Sequence, residues 1–237
     1  MIDFHTHILP EIDDGSTSPE MSVELLKKLC AQGVKKVLLT PHFYAYSSSA
    51  EDFCQLKERA EEILLEALGK ETVDVELYSG CEVLFFEELW RVENLKDFCI
   101  KGTEYILVEM PFSSWTDSMV RSVEKLYGKG VVPIIAHFER YIKYKGNLEK
   151  IYELAETGAL LQVNCKSLLG WKTRGKVIKF IKLGMVSALG TDCHNLDTRK
   201  PDYDEALKVL KKKLSENEYK SFFGKQKNLL KDAIKIN

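Results

Sequence analysis

Five histidines stand in this chain, and none of them lies within the charged helical stretches. Each closes or follows a short apolar or β-branched run. His5 and His7 form an H-x-H pair with Asp13 and Asp14 just beyond; His42 follows Leu38-Leu39-Thr40-Pro41, His137 closes Pro133-Ile134-Ile135-Ala136, and His194 follows Leu189-Gly190-Thr191-Asp192. Carboxylates occupy equivalent places, Glu82 after Ser79-Gly80-Cys81 and Glu109 after Tyr105-Ile106-Leu107-Val108. A single such residue is most often a hydrogen-bonded core group or a helix cap. Recurrence at one run after another points instead to a metal site. The candidate ligands are His5, His7, Asp14, His42, Glu82, Glu109, His137, Asp192 and His194. This is more than one ion can hold, so two or three ions are expected. Imidazole mixed with carboxylate, with no thiolate required, suits Mn²⁺, Fe²⁺ or Zn²⁺, whereas Mg²⁺ favours fewer imidazoles.

The elements that must position these groups alternate in type. Strand-like runs are predicted at Ile2–His5, Val34–Thr40, Val73–Ser79, Tyr105–Met110, Val132–His137, Ala159–Asn164 and Val186–Gly190. Amphipathic helices are predicted between them at Pro19–Gln32, Ala50–Leu68, Asp117–Gly128, Leu148–Thr157 and Gly175–Leu183. Two more follow within Tyr203–Ile236, with no indication of what their apolar faces cover. Ser16-Thr17-Ser18-Pro19-Glu20 reads as a helix opening, and Gly33, Gly130, Gly158 and Gly184 each lie between a helix and a strand. Repeated βα order implies a parallel sheet, and seven units suit a closed barrel, a single domain over residues 1–237. In such a barrel the C-terminal strand ends converge on one mouth, and the polar residues fall at those ends.

Composition bounds the function. Lys+Arg 34 against Asp+Glu 36 leaves a net charge of -2, which gives no general attraction to nucleic acid or anionic membrane. The six cysteines form no C-x-x-C pair and read as reduced thiols. No segment resembles a signal peptide or a membrane span, so a soluble cytoplasmic protein is predicted. Oligomeric state is not legible.

Met1-Ile2-Asp3-Phe4-His5-Thr6-His7-Ile8-Leu9-Pro10, Asp13-Asp14-Gly15, Ile135-Ala136-His137-Phe138-Glu139-Arg140-Tyr141 and Thr191-Asp192-Cys193-His194-Asn195-Leu196-Asp197 together resemble the PHP (polymerase and histidinol phosphatase) superfamily. Within it they are most similar to the bacterial manganese-dependent protein-tyrosine phosphatases of capsular and exopolysaccharide operons. The resemblance implies a distorted (β/α)7 barrel and three ions. One would be held by His5, His7, Glu82 and Asp192, a second by Glu82, Glu109 and His137, and a third by Asp14, His42 and His194. It also implies a phosphotyrosine protein substrate, such as a bacterial tyrosine kinase. Two positions depart from the family pattern: Glu11, and Phe138 before Glu-Arg-Tyr, a candidate for reshaping the pocket rim.

A cluster of divalent ions lowers the pKa of water and clamps the oxygens of a phosphoryl displacement, so hydrolysis by metal-activated hydroxide is expected. Arg140 and Arg199, close after His137 and His194, are the candidate phosphate clamps, because planar guanidinium matches phosphate. Surface ion pairs, Arg140 with Glu139 or Glu149 and Arg199 with Asp197 or Asp202, are the bland alternative. Among the loop aromatics Phe43, Tyr44, Tyr46, Phe112, Trp115 and Trp171, Phe43 and Trp115 are the candidate walls of a phosphotyrosine cleft, and packing of the loops is an equal alternative. Cys193 to Arg199 fits C-x5-R, the spacing of cysteine-dependent phosphatases, but the segment lacks glycine and carries Asp197 where an anion should bind. A histidinol-phosphatase-like phosphomonoesterase and a non-catalytic metal-binding interaction module are the rival readings.

Overall fold

The computed structural model describes residues 1–237. Parallel strands and helices alternate in the order β1 (Ile2–Asp3), α1 (Pro19–Ala31), β2 (Lys36–Leu39), β3 (His42–Phe43), α2 (Ala50–Leu68), β4 (Glu76–Ser79), β5 (Glu82–Leu84), β6 (Tyr105–Glu109), α3 (Asp117–Glu124), β7 (Val132–Ile135), α4 (Asn147–Glu156), β8 (Leu160–Asn164), α5 (Cys165–Leu169), α6 (Arg174–Lys182), β9 (Val186–Gly190), α7 (Tyr203–Lys213) and α8 (Glu216–Leu229). The helix opening read at Ser18-Pro19 is present: the Ser18 hydroxyl accepts from the Met21 N–H at 3.2 Å, and Pro19 occupies the first turn, where a missing N–H does no harm.

Nine strands replace the seven expected. β3 and β5 lie beyond the second and third predicted runs, past Pro41, which has no N–H to donate, and past Gly80-Cys81, so each path carries two short strands. The halves join different sheets: β1-β2-β4 form one, and β3-β5-β6-β7-β8-β9 the other. The result is a distorted (β/α)7 barrel whose ladder is not continuous. Its first and last strands meet through single links beyond β1, from the Phe4 N–H to the Leu189 carbonyl at 3.0 Å and from the His7 N–H to the Cys193 carbonyl at 2.9 Å.

Alternation along the strands explains where the site sits. Ile2, Phe4, Leu38, Tyr78, Leu107, Ile134, Ala136 and Ala188 form a separate apolar cluster with Leu229 and Leu230. We read these as the filling of the ring, with the end of α8 as its floor. Residues two places further along the same strands, Thr40 after Leu38 and Glu109 after Leu107, share that face and stand above the apolar layer. Gln162 and Asn164 continue the inward positions of β8. The larger core, 52 buried residues, lies between strands and helices and includes Ala206, Leu207 and Leu210 of α7 and Phe222 of α8. The apolar faces of the last two helices therefore cover the barrel, and the Tyr203 hydroxyl donates to the Ile2 carbonyl at 2.7 Å.

Candidate metal centre

Glu82 stands at the middle of the strand-end cluster, 1% exposed. The parallel register of β3 with β5, which pairs His42 with Glu82, places these two candidate ligands side by side. Glu82 Oε2 lies 2.9 Å from His5 Nε2, 3.2 Å from His7 Nε2 and 3.2 Å from His42 Nδ1, while Oε1 lies 3.0 Å from His137 Nε2. His137 Nε2 is also 3.4 Å from Glu109 Oε1, and His194 Nε2 is 3.3 Å from Asp14 Oδ1. Asp192 Oδ1 approaches His7 Nε2 at 3.5 Å and His5 Nε2 at 3.8 Å. All nine candidate ligands thus converge. Their donor atoms fall into sets that suit several ions, among them His7, Asp14, His42 and His194; His5, His7 and Asp192; and His42, Glu82 and Glu109.

The hydrogen bonds on the far sides of the rings test whether cations fit. His194 Nδ1 faces the Asp192 carbonyl at 3.0 Å, an acceptor only, so Nδ1 carries the proton and Nε2 presents a bare lone pair toward the Asp14 carboxylate. His7 Nδ1 meets Asp13 Oδ2 at 2.7 Å, so its Nε2 likewise faces Glu82. His42 Nδ1 and His194 Nε2 are buried without a hydrogen-bond partner. Lone pair facing lone pair is unfavourable unless a cation or a proton lies between. The electrostatics agree. Burial opposes charge at His7, yet Asp13 and Glu82 push its imidazole up to about 10. Burial likewise opposes ionisation of Glu82 and Asp192, yet His5 and its neighbours hold both well below the usual carboxylate range. The cluster is short of positive charge, and divalent ions are the natural supply.

Two candidate ligands sit on left-handed backbone: His137 at φ 30° and Asp192 at φ 55°. At His137 the bend ends the β7 run and opens a single 3-10 turn, Phe138–Arg140, which carries Arg140 back over the mouth. Arg140 donates to Asp192 Oδ2 at 2.5 Å, and Arg199 donates to Asp192 Oδ1 at 2.8 Å and to Asp14 Oδ2 at 3.3 Å. Neither arginine pairs with the surface carboxylates named as alternatives. Both line a groove of about 620 Å³ beside the cluster, with Lys166 and Lys200 further along it. A larger cavity of about 670 Å³, between α4 and α8, lies away from the candidate ligands and is lined by apolar side chains such as Leu160, Leu183 and Met185 together with Glu156, Ser187, Lys225 and Asn228.

Several sequence expectations require correction. Phe43 and Trp115 are 3% and 4% exposed and do not wall a cleft. Phe43 packs against Phe53 and Phe98, and Trp115 against Tyr141 with its indole N–H on the Pro111 carbonyl, because both side chains fall on the core side of their loops. The rings at the mouth are others: Tyr44 stacks on His42 at 5.0 Å, and half-exposed Phe112 stacks on His137 at 5.8 Å. Phe138 is fully buried against Phe180 and does not shape the rim. In agreement with the sequence reading that C-x5-R is no nucleophile loop, Cys193 is fully buried, and burial pushes its thiol well above the usual range. Asp13 and Gln162 contact the candidate ligands His7 and His5 yet carried no role in the sequence reading. The Asp13-Asp14 doublet was a signal for the first; Gln162 left none.

Comparison with known proteins places the chain. The model of the capsular polysaccharide synthesis family CpsB/CapC matches residues 1–231. The tyrosine-protein phosphatase YwqE of Bacillus subtilis is 33% identical over 222 residues, covering 90% of this chain and 84% of that protein. The tyrosine-protein phosphatase CpsB of Streptococcus pneumoniae is 28% identical over 238 residues, covering 94% and 95%. A solved structure from work on YwqE of Bacillus subtilis and CpsB of Streptococcus pneumoniae, described as unique metal-dependent tyrosine phosphatases, superimposes with a TM-score of 0.86 at 29% identity, covering 99% of this chain and 96% of that one. A putative histidinol phosphatase of Listeria monocytogenes, with a TM-score of 0.51 at 12% identity over 82% of this chain and 95% of that one, shares the fold alone. With ligands, arginines and barrel in one arrangement and the match running from the first residue to residue 231, the chain belongs to the CpsB/CapC capsular polysaccharide synthesis family.

Proposed function

We propose that the protein is a metal-dependent phosphotyrosine-protein phosphatase, with Mn²⁺ as its preferred ion and a tyrosine kinase of polysaccharide biosynthesis as its substrate. The observation that carries this reading is the Asp192 carboxylate, which faces His5 and His7 through Oδ1 while holding both Arg140 and Arg199. One residue thereby ties the metal-binding face to the two groups suited to a phosphate. His5, His7, Glu82 and Asp192 would hold one ion, Glu82, Glu109 and His137 a second, and Asp14, His42 and His194 a third. Divalent ions bound there would supply Lewis acidity and an activated water for attack on phosphorus.

This chain's own residues do the rest. Arg140 and Arg199 each keep N–H donors beyond those spent on Asp192 and Asp14, and these reach the groove where a phosphoryl group would lie. Half-exposed Phe112, on the loop after β6, offers a ring face to a phenyl group, while Tyr44, on the loop after β3, is stacked with His42 and Tyr46 beside the same mouth. A phenolate with a pKa near ~10 leaves without strong acid assistance, so no dedicated proton donor is required. The test is turnover of a phosphotyrosyl peptide and of histidinol phosphate by chelator-stripped protein, before and after Mn²⁺ addition. Activity restored by Mn²⁺ with preference for the peptide is expected. Preference for histidinol phosphate would move the reading to a small-molecule phosphomonoesterase, and no activity with metal bound would leave a binding module.

A further inference from the structure

Strand β8 alone among the rods ends without a candidate ligand, yet it places two buried amides, Gln162 and Asn164, directly behind the cluster. Gln162 is fully buried, and its orientation is determined. Its Oε1 takes the His137 backbone N–H at 2.6 Å, which only the amide oxygen can accept. The same oxygen lies 3.2 Å from His5 Nδ1, so that nitrogen must carry the ring proton and His5 Nε2 is left bare toward Glu82 and Asp192. Gln162 Nε2 is thereby turned to donate to Asn164 Oδ1 at 2.9 Å, and Asn164 Nδ2 in turn donates to Asp192 Oδ2 at 2.8 Å. Each amide has one possible orientation once the first is set.

We infer that Gln162 and Asn164 are positioning residues of the metal centre, a one-directional amide relay that fixes the His5 tautomer at one end and the Asp192 rotamer at the other. The inference rests on the proposed metal reading and extends it to residues that touch no ion. Its logic is that of groups behind a metal ligand, which fix ring tautomer and orientation. Gly190 makes room for the relay: a Cβ there would lie 2.5 Å from His5 Cβ and 2.9 Å from Gln162 Nε2. His5 and Asp192 belong to one donor set with His7, so the relay acts on one ion rather than on all.

The test titrates chelator-stripped protein with Mn²⁺, following the free ion by its electron paramagnetic resonance signal. Side-chain ¹H–¹⁵N correlations on zinc-loaded protein report the histidine tautomers. In Gln162→Met, which keeps the length but removes both polar ends, the affinity of the ion held by His5 and Asp192 falls by about 10–100-fold while the ion held by Asp14, His42 and His194 keeps its affinity within about two-fold. The Nδ1–H signature of His5 is lost. Gln162→Glu, which retains an acceptor for His5 but no donor for Asn164, recovers that signature and loses only about ten-fold in affinity. A folded Gln162→Met chain that binds every ion with unchanged affinity overturns the relay. Should Gln162→Met not fold, unchanged Mn²⁺ affinity in both Gln162→Glu and Asn164→Leu overturns it equally. A wild-type chain that takes up no Mn²⁺ overturns the metal reading and this inference with it.

Discussion

Arg140 and Arg199 are half-exposed and share a single carboxylate, so removing either should spare the fold and strike the substrate phosphate. Arg140→Ala and Arg199→Ala are each expected to lower kcat/KM for a phosphotyrosyl peptide by about 10–100-fold, the equivalent of ~1.5–3 kcal/mol for a charged hydrogen bond, with lysine recovering only part. Unaltered kinetics in both variants would exclude them as clamps. The aromatic rings divide by burial. Phe112→Ala should raise KM for the peptide by about 2–10-fold at an unchanged melting temperature, since an aromatic pair contributes about 0.5–1.5 kcal/mol. Trp115→Ala should instead destabilise the fold by about 3–5 kcal/mol, as large-to-small changes in a core do; the reverse pattern would restore Trp115 to the cleft. Away from the site, burial raises the Glu61 carboxyl above its ordinary value while Ser79 Oγ donates to it at 2.5 Å. A raised carboxyl pKa means the fold resists its ionisation, a penalty absent below pH about 4 and growing as pH rises through the folded value. Glu61→Gln keeps the acceptor and should therefore melt higher than the parent at pH 8, the gain vanishing near pH 4. Equal shifts at both pH values would contradict this.

At the scale of elements, candidate ligands such as His137 and Glu109 were legible because each ends an apolar run that can be read without a structure. His137 after Ile135-Ala136 and Glu109 after Val108 show why: a buried parallel strand is apolar until it reaches the mouth, so the first polar residue marks the site. What escaped depends on contacts across the barrel. β3 and β5, of two and three residues, are too short for any periodicity, and their strand character comes only from pairing with each other. The turn of Phe43 toward the core between strands and helices follows from that pairing. Gln162 looks like any polar residue in a strand until His5, from the other end of the chain, meets it. The left-handed bends at His137 and Asp192 were equally hidden, since neither is glycine, and non-glycine residues held at positive φ concentrate at functional sites. Gly190 is the testable joint between β9 and this geometry. Gly190→Ala should lower stability by about 1–3 kcal/mol through overpacking and weaken Mn²⁺ binding at the same time, checked by melting and by metal titration. Loss of stability with intact metal affinity would separate the two.

Over the whole molecule, the fold class and the position of the site followed from βα alternation, whereas the break between the two sheets did not. Residues near the C-terminus close that break. The Ile236 N–H donates to the Leu77 carbonyl at 2.9 Å, the Leu77 N–H donates to Asn237 Oδ1 at 2.9 Å, and the Ile234 N–H donates to the Lys101 carbonyl at 2.8 Å. They lay a short antiparallel cover on β4, bridging Tyr78 and Lys235. Deleting Ile234–Asn237 should lower the melting temperature and increase light scattering on heating, because an uncovered strand edge recruits other chains, while phosphatase activity at 20 °C, reported as kcat, changes less than about two-fold. Unchanged scattering would show that the cover is dispensable. The same arrangement sets a schedule for biosynthesis. His5 must wait on the ribosome for Asp192, and the edge of β4 for Ile236, so neither the site nor the sheet is complete until those distant partners have emerged. Such late, long-range pairing makes folding slow and leaves the nascent barrel dependent on protection during its translation.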